Sequence, residues 1–214
     1  MKIQVMVPSS NREFRKIKEL QVKNYLPLQV SVDVICLDDG PANIEDFDDV
    51  IVAGKAIKKH INEGGALGYD GITIDCGLDP GFNWLNDNLK IPFTTAGFTS
   101  YKYAAELYDN FIVVVVSDEA AELATNNIQK YGFRNNVSSV VNANVTVDEL
   151  VKNVESYNQL LVKVKEGIGN GGVGAVVLGC TGMSGFVTRL EKDLSVPVID
   201  PTKMSLVRLM DVIK

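Results

Sequence analysis

No segment of this sequence is rich in lysine or arginine: 21 basic residues stand against 27 acidic ones, a net charge of −6. That balance weighs against a nucleic-acid or anionic-membrane partner. Long apolar runs are missing too. Runs such as FIVVVV at 111–116 fall far short of the roughly 20 residues that a bilayer requires. The amino-terminal stretch MKIQVMVPSS has one lysine and a short apolar run broken by glutamine. It reads as a strand, not a secretion signal. Cysteine is scarce, 3 among 214 residues, and in an unsecreted chain these are expected to be free thiols. A globule of this size buries roughly 70% of its unfolded surface and needs no disulfide or metal staple. Low-complexity segments and long linkers are absent. A cytoplasmic protein is expected, with no nucleic-acid and no membrane partner.

What is present is one pattern, twice. Residues 3–7 read as a buried strand, followed by Ser9, Ser10 and a helix through Phe14, Ile17 and Leu20. A strand at 30–36, a helix from 48, a strand at 71–75 ending at Cys76, a short helix at 82–89, a strand near 91–94 and a helix from 99 to 108 complete the first pass. The second has a strand at 111–116, Ser117, a helix at 118–130, a strand at 137–142, a long helix over 147–166 and a strand at 173–178 ending near Cys180. A short helix at 184–193, a strand near 196–199 and a helix from 203 close it. Local sequence repeats as well. Gly81, Phe82 and Pro92 follow Cys76 at +5, +6 and +16; Gly185, Phe186 and Pro197 follow Cys180 at +5, +6 and +17. Four matches within matching element orders indicate an internal duplication.

Strands alternating with helices imply parallel sheets covered on both faces. The expected fold is α/β, two similar doubly wound units related by a pseudo-twofold. One lobe takes residues 1–95 plus 200–214, the other 96–199. In each sheet the first and third strands are neighbours at the switch point, where ligands bind beyond the carboxyl ends. The serines after strand one and the cysteines after strand three therefore meet at one edge of each lobe. If the lobes face each other, Cys76 and Cys180 flank a shared cleft.

Two facing thiols suit one reaction well. One thiolate removes a proton from a carbon beside a carbonyl, and the opposite thiol returns one to the other face. The stereocentre inverts without metal or cofactor. Backbone N–H groups at Gly77 and Thr181 are placed to meet the transient enolate. Position just before helices is expected to lower both thiol pKa values.

These residues resemble the Asp/Glu/hydantoin racemase superfamily, its hydantoin racemase branch in particular. GPANIED at 40–46 is similar to the branch's Gly-Pro-x-Ser-Ile-Glu segment, and DCGLDPG at 75–81 and GCTGM at 179–183 to its two cysteine loops. The resemblance spans nearly the whole chain. It implies two flavodoxin-like domains, an active site between them, Cys76 and Cys180 as acid and base, and a homo-oligomer. It also implies a ligand site lined by Ser9, Ser10, Ser117 and Thr181. The sequence departs from the branch at Val7-Pro8-Ser9-Ser10, where Asn-Pro-Asn-Thr is common, and at Asn43 and Asp46, where serines are usual. Met183 stands where amino-acid racemases of the superfamily carry a histidine, and neither cysteine loop holds Lys or Arg. Both points favour a neutral cyclic amide such as a 5-substituted hydantoin over an amino acid.

Other readings stand beside this one. A decarboxylase of the superfamily keeps one cysteine; a cis–trans isomerase keeps two, one as nucleophile. A non-catalytic ligand binder or thiol sensor is the alternative of another class. Cys36 reads as core, Asp79 as a cap for the helix at 82, and His60 as part of a solvated helix face. Ser9, Ser10 and Ser117 also suit helix N-caps. Phe82, Trp84, Phe93 and Phe186 read as core or as walls of a side-chain pocket. GIGNGG at 167–172 precedes a strand instead of following one, which excludes dinucleotide binding.

Overall fold

A computed structural model describes residues 1–152, 155–170 and 172–213. They form two four-stranded parallel sheets of identical topology. The first contains β1 (Lys2–Val7), β2 (Ser31–Cys36), β3 (Gly71–Ile74) and β4 (Phe93–Thr95), in the order β2-β1-β3-β4. The second contains β5 (Phe111–Val115), β6 (Val137–Asn142), β7 (Ala175–Leu178) and β8 (Val198–Ile199), in the order β6-β5-β7-β8. Central strands are buried on both faces, so their sequences are continuous apolar runs and not alternations. Ile3, Val5 and Met6 in β1 are fully buried, as are Ile112, Val113 and Val114 in β5.

Helices α1 (Arg12–Tyr25), α2 (Phe47–Asn62), α3 (Phe82–Asn88) and α4 (Ala96–Leu107) follow the strands of the first half. Helices α5 (Asp118–Lys130), α6 (Val147–Lys152), α7 (Glu155–Ile168), α8 (Val187–Leu194) and α9 (Pro201–Val212) belong to the second. The two halves are laced together at their ends. Helix α4 packs against β7, while α9 packs against β3 and β4, and α4 and α9 pack on each other. Gly71 begins β3 because a Cβ there would meet Leu209 and Ile213. No helix of the described residues is long and apolar enough to cross a membrane.

Several elements differ from expectation. The long helix over 147–166 is found as α6 and α7, and residues 153 and 154 lie outside the described residues. So does residue 171 of the 167–172 glycine-rich stretch. A 3-10 helix over Thr181–Phe186 precedes α8, where an α-helix from 184 was expected. In α1, Leu20 is 69% exposed, and the buried face is Phe14, Lys18 and Val22, spaced at i, i+4. His60, read as solvated, is half-buried with its Nε2 3.3 Å from Gln4 Oε1. Cys36 is half-buried, its Sγ 3.4 Å from the Asn11 carbonyl.

Candidate active site

The switch-point strands place the cysteines. β1 pairs with β3, and β5 with β7, so residues leaving β3 and β7 emerge at the carboxyl edges of their sheets. Cys76 lies just past β3 and Cys180 just past β7. Both line one cavity of about 50 Å³ between the lobes, together with Ser9, Asn43, Asp75, Gly77 and Thr181. Apolar side chains, among them Phe14, Ile44, Val116 and Val147, supply most of its remaining wall.

The two cysteine loops touch through backbone. A Cβ added to Gly77 would collide with the Gly179 carbonyl, and one added to Gly97 with the Gly77 carbonyl. Glycine is required at 77 because another loop occupies the space a side chain needs. Among the described residues, the N–H groups of Gly77 and Thr181 donate to no backbone carbonyl. The Leu78 N–H meets the Cys76 sulfur and the Gly182 N–H the Cys180 sulfur, a matched pair at +2.

Contrary to the expectation drawn from nearby helices, neither thiol is acidified. Burial pushes Cys180 up to about 11 and Cys76 further still, with the Cys180 charge adding to the rise at Cys76. Desolvation of a thiolate outweighs one N–H donor. The local dipoles are weak as well: a 3-10 helix follows Cys180, and α3 starts only at Phe82.

Two predicted hydroxyls lie outside the cavity lining. Ser10 Oγ donates to the Pro41 carbonyl at 3.2 Å. Ser117 Oγ donates to the Glu45 carbonyl at 2.8 Å and caps α5 by accepting the Ala120 N–H. Together they hold the segment 41–45, which brings Asn43 and Ile44 over the cavity. The Glu45 carboxylate accepts the Val147 N–H at the start of α6, 2.8 Å away. This segment thus bridges the lobes. Thr181 Oγ1 donates to the Asp75 carbonyl at 3.3 Å. Ser9 is buried, and no side chain of the described residues hydrogen-bonds its hydroxyl.

Asp79 is a cap, but of a different helix. Its Oδ1 accepts Gly97 N–H at 2.8 Å and its Oδ2 accepts Phe98 N–H at 2.6 Å, at the start of α4. α3 has Gly81 as its N-cap, in the left-handed conformation. Phe82 and Phe93 line a separate groove beside α4 and α9, and Phe186 lines a surface recess with Gln21. Trp84 stacks near Lys58. None of the four borders the cysteine cavity.

A buried polar network behind the cysteines has no counterpart in the sequence expectations. Lys18 Nζ donates to the Thr181 carbonyl at 2.6 Å and to Thr202 Oγ1 at 2.8 Å. It lies 3.1 Å from Asp75 Oδ2, with both side chains fully buried. Thr202 Oγ1 donates to Asp75 Oδ1 at 2.7 Å. Beyond it, Ser184 and Tyr25 donate to Asp200, at 2.7 Å and 2.6 Å. Lys18 and Asp75 are thus paired with each other and Asp200 is held by hydroxyl donors, as burial demands. The spacing Phe14, Lys18, Val22 was a usable signal, since i, i+4 residues share one helix face.

Comparison with known proteins agrees with this architecture. The chain is 27% identical over 201 residues to the hydantoin racemase of Pseudomonas sp. (strain NS671), covering 94% of this chain and 81% of the relative. The allantoin racemase from Klebsiella pneumoniae superposes with a TM-score of 0.92 at 21% identity, covering 100% of this chain and 87% of that one. The aspartate racemase of Picrophilus torridus has the same fold at a TM-score of 0.71 and 16% identity, over 100% and 94% of the respective chains. A family model, Asp/Glu/Hydantoin racemase, matches residues 3–209. With two like lobes, each contributing a cysteine to one cavity, and a match over almost its full length, the chain belongs to the Asp/Glu/hydantoin racemase family.

Proposed function

We propose that this protein racemises a 5-substituted hydantoin or a related cyclic amide by proton transfer between Cys76 and Cys180. The observation that carries the reading is that both thiols line one interlobe cavity. Cys76 comes from the lobe we assign to residues 1–95 and 200–214, and Cys180 from 96–199. One thiolate takes the proton from the carbon beside the carbonyl and becomes a thiol. The electron pair moves to the carbonyl oxygen, which the N–H groups of Gly77 and Thr181 are assigned to receive; the reading is supported by their donating to no backbone carbonyl among the described residues. The opposite thiol gives its proton to the other face of the carbon and is left as thiolate. Ser9 and Asn43 offer polar contacts to the ring amides. The substrate class is supported by the hydantoin racemases among the relatives. It is also supported by the wall of the cavity, where no Lys or Arg is found among the described residues.

The test is an assay of optically pure hydantoins and amino acids by loss of rotation. Hydantoins are expected to racemise. Cys76→Ser and Cys180→Ser are each expected to lose at least ~100-fold in rate, the low end for removal of an acid–base group. One single variant should still exchange the substrate proton for deuterium without inversion. Racemisation by the double variant would refute the mechanism, and turnover of amino acids alone would refute the substrate class.

A further inference from the structure

The scaffold is doubled, but among the described residues its fully buried ion pair is single. Helix α1 buries Phe14, Lys18 and Val22; the corresponding face of α5 buries Ala120, Ala124 and Ile128. Alanine thus stands where the first lobe has Lys18. Asp75 directly precedes Cys76, whereas Gly179 directly precedes Cys180. The pair also has a direction. Its cationic end holds the Thr181 carbonyl, one residue beyond Cys180. Its anionic end is the side chain next to Cys76.

We propose that Lys18 and Asp75 are positioning residues that make the two thiols unequal, drawing negative charge to Cys180 and holding the proton on Cys76. The proposal rests on the two-thiol reading above and deepens it: Cys180 is the base of the free enzyme. Neither side chain needs to touch substrate. Other groups act on the same sulfurs. Cys180 faces Lys18 from α1, which favours its thiolate, and Asp75 and Glu45, which oppose it. Cys76 faces Cys180, Asp79 and Asp75, all opposing its thiolate, and Tyr101 of α4 is coupled to it. Lys18 is the one side-chain charge among these that favours a thiolate, and it acts on the second cysteine.

Alkylation by iodoacetamide tests this without turnover. The full chain is labelled across pH 7–11 and the sites are resolved by peptide mass spectrometry. In the wild type, Cys180 is expected to reach half-maximal reactivity at a lower pH than Cys76. In Lys18→Met, Cys180 is expected to react about tenfold more slowly on the rising limb, the equivalent of one pKa unit. Lys18→Met leaves Asp75 buried and unpaired, which can unfold the protein. The double variant Lys18→Met/Asp75→Asn removes both charges, and in it the gap between the two profiles should narrow, burial and Asp79 still holding Cys76 the higher. A gap between the two profiles as wide in the double variant as in the wild type would overturn the proposal, as would earlier reaction of Cys76 in the wild type. Kinetics supply a second readout. Enantiomers have equal free energy, so kcat/KM is the same in both directions. Inequality of the thiols appears as a higher kcat matched by a proportionally higher KM for one enantiomer, a difference that the double variant should reduce. Failure of the underlying reading looks different: Cys→Ser variants would still racemise while the alkylation profiles stayed unequal.

Discussion

At the residue scale, chemistry was read directly from residue type and placement. Cysteines at the ends of two matched strands stand out because a thiol has few uses at a carboxyl edge. Their protonation was not readable, since it depends on burial. A thiol held up to about 11 is neutral at pH 7, and the proposed proton transfer needs one thiolate. The rate constant kcat/KM is therefore expected to rise with pH, about tenfold per unit between pH 8 and 10. Initial rates, corrected for racemisation without enzyme, would check this; a flat profile would contradict a half-buried cysteine base with a raised pKa. Lys18 escaped notice for the opposite reason. Apolar counting along α1 selects Ile17 and Leu20, whereas the buried face holds a lysine because Asp75, far along the chain, neutralises it.

At the scale of elements, boundaries followed local signals where the signals were local. Helix α5 begins at Asp118, after Ser117, which caps it within the same segment. Helix α4 begins at Ala96, three residues before the expected start at 99. Its cap is Asp79, supplied by another loop. Asp79→Ala is expected to cost about 1–3 kcal/mol in urea unfolding through the lost cap and the exposed donors. This cost should depend on pH. Burial raises the Asp79 carboxyl to about 7, above its unfolded value near ~4. A raised carboxyl pKa means that the folded state prefers the neutral form. The contribution of Asp79 is thus complete below pH ~4 and declines as pH rises through 7. The stability gap between wild type and Asp79→Ala should narrow over that range. A gap that widened would show the carboxylate to be the favoured form.

At the scale of the whole molecule, the lobes approach so closely at the cysteine loops that Gly77 rests against the Gly179 carbonyl. Gly77→Ala is expected to force the loops apart, costing about 1–3 kcal/mol as overpacking does. The activity loss should be larger in proportion, because misplaced acid–base groups lose most of their effect. Melting temperature and racemisation rate, measured together, would check it; unchanged activity would mean that the loops need not touch. The sequence by itself determined the doubled α/β plan, the strand order at each switch point and the two thiols, because periodicity and repeated residues are local properties of the chain. Tertiary structure alone decided which hydroxyls face the cavity, which helix Asp79 caps, how far burial raises each thiol, and that a lysine from α1 lies behind the second cysteine. Those outcomes depend on distances between segments remote in sequence, and on the low polarity created where they meet.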